Sequence, residues 1–343
     1  MSTSSAYSEE ACRESAAEAQ LRYVRDSDPG IARKRHGKGF IYLAPDSARV
    51  TNEAILARIR ALAIPPAYRA VWICTLANGH LQATGRDERQ RKQYRYHARW
   101  EAVRTATKFH QMQSFAESLP KLRETVDSHM RLPGLPKERV LAAIVHLMDC
   151  CAIRIGSEQY ASENKTYGLT TLRKRHVNVE GSRIQFAFTG KSGKQWKRDL
   201  TDRQVAGIIR QCEEIPGHEL FKYLDGNGGK HPIRSEDVND YLRSISGENF
   251  TAKDFRTWAA TAQALELLGE AERASTQPEV KRQVNAAIRT IADSLGHTPT
   301  VCRKCYIHPR VIAQFEEGEL GKWFRTKKGE DYELVAAFLK EAA

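Results

Sequence analysis

The hydrophobic pattern of this chain changes its period near residue 100. Before that point, short apolar runs lie between turn residues, as at Gly39–Leu43 and at Ala70–Thr75 and His80–Thr84 on either side of Asn78-Gly79. Short runs bounded by turn residues predict strands, and Asn-Gly between two of them predicts a hairpin. After residue 100 the apolar residues repeat at helical spacing. We therefore expect a small strand-rich domain followed by a larger helical one.

A helix beginning at Thr51, with Glu53 in its first turn, is expected within the strand-rich part. Further helices are predicted over 101–119, 121–131, 140–155, 201–212, 235–244, 251–268 and 279–295. Three short antiparallel strands, at 177–179, 184–189 and 195–199, interrupt the helical pattern. Glycine-containing segments separate these strands and are suited to tight turns.

These elements give an α+β fold class for the 343 residues. A small N-terminal antiparallel β-sheet domain with helices is expected at 21–98. A larger, mainly α domain containing the three-stranded antiparallel sheet is expected at 99–343. Residues 1–20 are polar and acidic, lack the features of a signal peptide, and are expected to form a disordered lead. No run approaches the roughly 20 apolar residues of a membrane helix.

The charge of the chain favours a polyanionic partner. The formal net charge is +12, and residues 1–97 carry 16 Lys and Arg against 10 Asp and Glu, or half of that excess. Lysine and arginine that dock on phosphates release condensed counterions, which stabilises binding to nucleic acid. The segment 86–99 is the most basic. A second basic run, at 31–38, is either a phosphate-binding arm or a plain solvated segment.

The seven cysteines predict no disulfide framework, because their number is odd and their spacing irregular. A reduced, cytoplasmic setting is the simplest interpretation. Cys302 and Cys305 form a single Cys-x-x-Cys pair, which supplies only half of a tetrahedral zinc shell. We therefore expect neither a metal nor another cofactor.

Five side chains stand out by their local sequence context: Arg154, Lys191, Arg256, His297 and Tyr306. Each also has an ordinary structural explanation. The arginines suit the end of a core helix and a helix surface, and the lysine suits a solvated hairpin tip. The histidine suits a helix C-terminus, and the tyrosine a half-buried core position. Taken singly, none of them indicates a function.

Their order along the chain does indicate one. An Arg, a Lys on a β-turn, a Lys-x-x-Arg at Lys253–Arg256, a Gly-His-Thr and a Tyr nine residues after that His resemble the catalytic set of type IB DNA topoisomerases. The compact bacterial and poxvirus enzymes are the most similar group. The segments 82–87, 91–97 and 163–169 also resemble stretches of that family, so the resemblance spans nearly the whole chain, and a bacterial source is expected.

The resemblance implies a role for each residue of the set. Tyr306 would attack a DNA phosphate and form a 3′-phosphotyrosyl bond. Arg154 and Arg256 would stabilise the charge on the phosphoryl oxygens, and His297 would donate a further hydrogen bond to one of them. Lys191, with Lys253 plausibly sharing the task, would protonate the 5′ oxygen that leaves.

The resemblance also implies that a monomer closes around double-stranded DNA in the nucleoid and relaxes positive and negative supercoils without ATP or metal. The expected DNA contacts are Arg86, Arg91, Lys92, Gln93, Tyr94, Arg95, Tyr96 and Tyr160. Basic and aromatic residues alternate between 91 and 97, which suits contact with a groove. Without the downstream set, the same segment would be interpreted as a solvated basic strand with two core tyrosines.

Two rival functions remain. A tyrosine recombinase would share most of the set, but that class usually has His-x-x-Arg where this chain has Lys253-x-x-Arg256. It also usually begins with a helical DNA-binding domain, whereas 39–86 is rich in strand signals. The other rival is a non-catalytic DNA-binding descendant, against which the five intact positions argue.

Overall fold

The computed structural model describes residues 9–88 and 90–341. They divide into two compact units, one ending at Phe109 and one beginning at His110. Helices and antiparallel sheet occur in both, as the α+β class predicts. Within the described residues, no helix is long and apolar enough to cross a membrane.

The first unit contains a five-stranded antiparallel sheet with strand order β2-β1-β3-β4-β5. The strands are β1 Gly30–His36, β2 Gly39–Leu43, β3 Arg69–Cys74, β4 Leu81–Arg86 and β5 Lys92–Tyr96. The predicted strand at 39–43 and the hairpin around Asn78-Gly79 are confirmed, since β3 pairs with β4. The basic run at 31–38 lies mostly on β1, which pairs with β2 on one side and β3 on the other. Its Lys34, Arg35 and Lys38 are exposed, and phosphate binding by this run stays a prediction.

A helix, α2 (Glu53–Ala61), contributes to the core of this unit. Its buried Ile59 packs with apolar side chains of three strands: Ile31, Val71, Ile73 and Ala83. The side chain of Asn52 accepts hydrogen bonds from the second and third helical N–H groups. Asn52 is therefore the N-cap, and the helix begins two residues after the predicted Thr51.

The prediction of a disordered lead over 1–20 is wrong for its second half. Helix α1 spans Glu9–Glu18. Ala16, Ala19 and Leu21 are buried against Trp100. Of these three, Ala16 lies in the last turn of α1, and Ala19 and Leu21 follow the helix. A few small apolar side chains thus hold this acidic segment to a large aromatic ring. The preceding residues, 1–8, lie outside the described part of the chain.

The second unit is mainly helical. Helix α3 (Ala98–Met130) begins in the first unit, and the helices after it are α4 Lys137–Cys151, α5 Glu158–Asn164, α6 Arg203–Glu214, α7 Ser235–Ser246, α8 Ala252–Gly269, α9 Gln277–Ser294, α10 Pro299–Cys305, α11 Pro309–Glu317, α12 Leu320–Thr326 and α13 Asp331–Lys340. The predicted three-stranded sheet is confirmed as β6 Val177–Glu180, β7 Arg183–Thr189 and β8 Gln195–Thr201. Two short strands, β9 Lys222–Leu224 and β10 Lys230–Pro232, form a separate ribbon.

Helix α8 lies at the centre of the second unit and packs against α4, α9, α11, α12 and α13. Its Phe255 meets the ring of Phe115 on α3 edge-on, with centroids 5.0 Å apart. The two helices predicted at 101–119 and 121–131 are one, because α3 continues through Pro120. The proline removes one backbone hydrogen bond, but Leu119 and Leu122 on either side are buried and hold the helix to the core.

Candidate active site

The five side chains of the predicted set come from five separate segments of the second unit and meet at one place. The Nη2 group of Arg154 donates to Nε2 of His297 at 3.0 Å. The rings of His297 and Tyr306 lie 4.4 Å apart between centroids, and Cζ of Arg256 lies 5.7 Å from the centroid of the Tyr306 ring. The charge of Lys191 is close enough to act on His297.

Arg154 lies on a loop after α4, not at the end of a core helix. The helix ends at Cys151 because Ala152 adopts the left-handed conformation, with φ 50°. The loop then runs beside the segment after α5, where Leu169 N–H donates to the carbonyl of Arg154 at 2.8 Å. A Cβ at Gly168 would lie 2.5 Å from that same oxygen, so only glycine allows the two segments to approach this closely.

Arg256 is only 5% exposed, so it is not the helix-surface arginine that its sequence context allowed. It projects from the second turn of α8. Its Nη1 donates to the carbonyl of Ala152, and its Nη2 donates to the carbonyl of Leu295 at 2.6 Å. Burial, together with the positive charge of Arg154, lowers the pKa of Arg256 to about 10. The group remains a cation at neutral pH.

His297 follows α9 on a turn that needs glycine. Gly296 has φ +61°, and His297 N–H closes the helix end by donating to Ala292 O at 2.7 Å. Lys194 Nζ holds the carbonyl of His297 at 2.6 Å. Burial, reinforced by the nearby cations of which Arg154 is the strongest, lowers the pKa of His297 to about 3. The imidazole is therefore neutral at physiological pH and can offer a hydrogen bond but no charge.

Tyr306 directly follows α10 as its C-cap residue, and its ring is half-buried. Thr261, fully buried on α8, holds the backbone that directly follows the Tyr306 side chain. The hydroxyl of Thr261 donates to the carbonyl of Tyr306 at 3.2 Å and accepts from His308 N–H at 3.0 Å. The position of the phenol is therefore set by the core.

Sequence reasoning missed Trp196, which connects three parts of the site. This residue of β8 is 5% exposed. A Cβ at Gly190 would lie 2.6 Å from its indole, and a Cβ at Gly296 would lie 2.8 Å from it. Cζ of Arg154 lies 5.9 Å from its ring. The signal in the sequence is a glycine directly before Lys191 and another directly before His297. In the structure the Trp196 ring fills the space beside both glycines.

Both lysines of the set are exposed. Lys191 lies in the turn between β7 and β8, which the backbone closes through a hydrogen bond from Gly190 N–H to Lys194 O at 2.7 Å. Lys253 lies in the first turn of α8, one helical turn before Arg256. The structure therefore buries Arg256, leaves Arg154 partly buried, and places both lysines at the surface.

The site carries concentrated positive charge. The hydrogen bonds described for Arg154 and Arg256 go to backbone carbonyls and to an imidazole, and none of them goes to a carboxylate. Planar guanidinium groups match the oxygens of a phosphate, and fixed donors stabilise charge that develops on them. Among the described residues there is no group of three or more metal-ligating side chains. This arrangement suits a phosphate diester beside a phenol.

The predicted DNA-contacting segment lies on β4 and β5 of the first unit, where its side chains divide into two groups. Arg91 and Gln93 donate to the carboxylate of Asp87, and Arg86 donates to the carbonyl of Gln90, so these three stabilise the β4–β5 turn. Arg95 donates to Ala63 O at 3.3 Å.

Lys92, Tyr94 and Tyr96 form the second group, on one face of β5. The two tyrosine rings stack with centroids 5.9 Å apart, and Lys92 Nζ lies 5.6 Å from the Tyr94 centroid. Tyr94 is 47% exposed, so it is not the core tyrosine of the alternative interpretation. In the second unit, Tyr160 on α5 is exposed to the same extent.

Comparison with known proteins identifies related chains. Residues 97–329 match the family model of the eukaryotic DNA topoisomerase I catalytic core, and residues 39–87 match that of the bacterial DNA topoisomerase IB N-terminal domain. The DNA topoisomerase 1B of Acanthamoeba polyphaga mimivirus is 32% identical over 285 residues, which cover 81% of this chain and 85% of the viral protein.

A more distant relative is also a topoisomerase. The DNA topoisomerase I of monkeypox virus is 20% identical over 237 residues, covering 68% of this chain and 72% of that protein. Among solved structures, the XerH site-specific recombinase bound to palindromic difH substrate has a TM-score of 0.35 and 13% identity, covering 60% of this chain and 50% of that one. That likeness is too low to establish a shared fold. The family matches and the mimivirus relative show that this chain belongs to the type IB DNA topoisomerases.

Proposed function

We propose that this topoisomerase cuts one strand of duplex DNA through a covalent bond between Tyr306 and the 3′ phosphate. The observation that carries the proposal is the position of the Tyr306 ring, packed against His297 and close to Arg256. The aryl ester keeps the energy of the broken phosphodiester bond, so resealing needs neither ATP nor metal. Between the two steps the cut strand rotates about the intact one and relaxes supercoils of either sign.

Arg154, Arg256 and His297 stabilise the transition state in this proposal. Charge builds on the non-bridging oxygens as the phenol attacks, and two guanidinium groups can meet it with paired hydrogen bonds. His297 adds a hydrogen bond from a neutral ring. Because buried contacts fix these groups before DNA arrives, little reorganisation is needed at the moment of reaction.

Lys191 is the general acid in this proposal, with Lys253 sharing the task. The 5′ oxygen of deoxyribose leaves poorly unless it gains a proton in the transition state. An exposed turn can follow that oxygen as the strand moves. Trp196 is a positioning residue: its ring fixes the turns that carry Lys191 and His297.

DNA binding is assigned first to Lys92, Tyr94 and Tyr96, with Tyr160 contacting the backbone from the second unit. Arg95 and Arg86 remain candidates for phosphate contact, whereas Arg91 and Gln93 act mainly by shaping the turn through Asp87. We further propose that the enzyme works as a monomer on the nucleoid of a bacterium. The match of residues 39–87 to a bacterial N-terminal domain supports that source.

Wild-type protein should relax supercoiled plasmid in EDTA without ATP, and Tyr306→Phe should not. Phenylalanine keeps the ring packed on His297 and removes only the reacting oxygen. Relaxation on agarose gels and covalent DNA capture after denaturation in SDS test this. Capture by the variant would refute the assignment. If both proteins bind but neither relaxes the plasmid, the recombinase or binding-protein interpretation applies.

Lys191→Ala should slow strand cleavage by about 10²–10⁴-fold, the usual contribution of a positioned general acid. On a duplex with a 5′-thio leaving group, which departs without a proton, the rate should return close to that of the wild type. Lys197→Ala, an exposed lysine of the same hairpin, is the matched control and should leave both rates unchanged. Equal defects on both substrates would mean that Lys191 is not the acid.

Trp196→Phe should slow cleavage on the order of 10²-fold while duplex affinity stays the same, since small misplacements of reacting groups cost about that much. Trp258→Phe is the control, because Trp258 is also buried in this unit but packs against Phe115 and Arg123. Thermal melting of both variants separates the two effects. If the rate falls only in proportion to the folded fraction, Trp196 is structural and has no positioning role.

Lys92→Gln should weaken duplex binding regardless of sequence and reduce the slope of log affinity against log salt by about 0.9, the value for one phosphate contact. Arg60→Gln is the matched control, because Arg60 is paired with Glu53 much as Lys92 is paired with Asp26. It lies on α2, outside the predicted DNA-contacting segment, and its loss should leave the slope unchanged. Fluorescence anisotropy at several salt concentrations provides the measurement. Identical slopes for Lys92→Gln and the wild type would remove Lys92 from the interface.

A further inference from the structure

The last two residues of α4, Cys150 and Cys151, form a pair of adjacent thiols. Their Sγ atoms lie 3.4 Å apart. Neighbouring residues of a helix normally point in different directions, so this approach brings together groups that would otherwise diverge. Cys150 is exposed and Cys151 is partly exposed, whereas Cys74, Cys212 and Cys302 are buried.

We propose that Cys150 and Cys151 are a binding site for trivalent, sulfur-seeking ligands, with organic arsenic(III) compounds as the defining class. A separation of 3.4 Å is too long for a disulfide, in which the sulfurs are about 2.05 Å apart. It does suit one atom bonded to both. If an atom lay about 2.3 Å from each sulfur, the length of a zinc–thiolate bond, the sulfur–atom–sulfur angle would be roughly a right angle. A pyramidal trivalent atom has bond angles of about that size.

The surroundings favour such a ligand over a bound metal ion. Among the described residues no group of three or more metal ligands exists, so a tetrahedral ion would lack half of its shell. An aryl arsenic(III) oxide brings its own third substituent. The hydrogen bond from the Cys150 thiol lowers the pKa of Cys151, and the charge of Arg198 acts in the same direction against burial. The attacking species is a thiolate, which this environment supports.

The reaction balances without an oxidant or a reductant. Two As–S bonds form, the arsenic–oxygen bond is lost, and both thiol protons leave with that oxygen as one water molecule. Arsenic stays trivalent and each sulfur keeps its oxidation state. A competing dithiol reverses the reaction by taking the arsenic, which a monothiol does less well because it forms no ring.

Occupation of this site should inactivate the enzyme through the backbone that follows. Cys151 is next to Ala152, whose left-handed conformation ends α4 and whose carbonyl accepts the hydrogen bond of Arg256. Arg154 follows two residues later. A ring that joins the two thiols constrains the last turn of α4 and carries an aryl group toward Arg198, which donates to Ser294 near the end of α9. The first change displaces the Ala152 carbonyl that holds Arg256, and the second disturbs the residue before Leu295, whose carbonyl is the other partner of Arg256.

The test treats full-length protein with phenylarsine oxide and follows both intact mass and plasmid relaxation. Wild type should gain one adduct and lose relaxation on the order of 10²-fold, as expected for misplaced reacting groups. An excess of 2,3-dimercaptopropanol should restore activity, and the same excess of 2-mercaptoethanol should not. Cys150→Ser and Cys151→Ser should each gain no stable adduct and keep their activity in the reagent.

The matched control is Cys305→Ser, which removes an exposed thiol next to Tyr306 but leaves the pair intact. This variant should be as sensitive as the wild type. An adduct that persists in Cys151→Ser, or an adduct on wild type with unchanged relaxation, would overturn the proposal. The relaxation readout rests on the proposed function, but the mass readout does not. Untreated wild type that fails to relax plasmid therefore counts against the function alone.

Discussion

The arrangement of the active site depends on the buried guanidinium group of Arg256. Its two terminal nitrogens donate to the carbonyls of Ala152 and Leu295, which lie just after α4 and at the end of α9. Removing a charge from water costs several kcal/mol, and carbonyls at helix C-termini offset part of that cost because they carry partial negative charge. One side chain thereby joins the segment that leads to Arg154 with the turn that carries His297.

This way of burying a cation leaves its charge available to a ligand. A salt bridge to Asp or Glu would have stabilised Arg256 more simply, but it would also have cancelled the positive potential of the site. Backbone carbonyls hold its two terminal nitrogens without adding a formal charge, while the buried Nε has no hydrogen-bond partner among the described residues. The same potential, added to burial, keeps His297 neutral by lowering its pKa to about 3. A phosphate diester carries the negative charge that would balance this positive potential. The geometry therefore favours DNA over a neutral substrate.

The sequence predicted the elements whose signals are local. The strands at 177–179, 184–189 and 195–199 and the hairpin around Asn78-Gly79 follow from apolar runs and turn residues, and the structure confirms them. It could not predict contacts between distant segments. The helix predicted to reach residue 155 ends at Cys151, because Ala152 is left-handed and its carbonyl accepts a hydrogen bond from the distant Arg256, which the sequence pattern does not show. The helices beyond residue 298 were missed for lack of long periodic runs, and the burial of α1 depends on the distant Trp100.

The difference in burial between the arginines and lysines of the site follows from what each must do in the proposed mechanism. Groups that stabilise the phosphoryl oxygens act on atoms that stay in place throughout cutting and resealing, so they gain from being fixed by the core. The 5′ oxygen leaves, moves with the rotating strand and returns, so its proton donor must reach into solvent. Lys191 is on an exposed turn, yet the glycine before it packs against the buried Trp196. The base of that turn is therefore fixed, while the ammonium group at its tip can follow the moving oxygen.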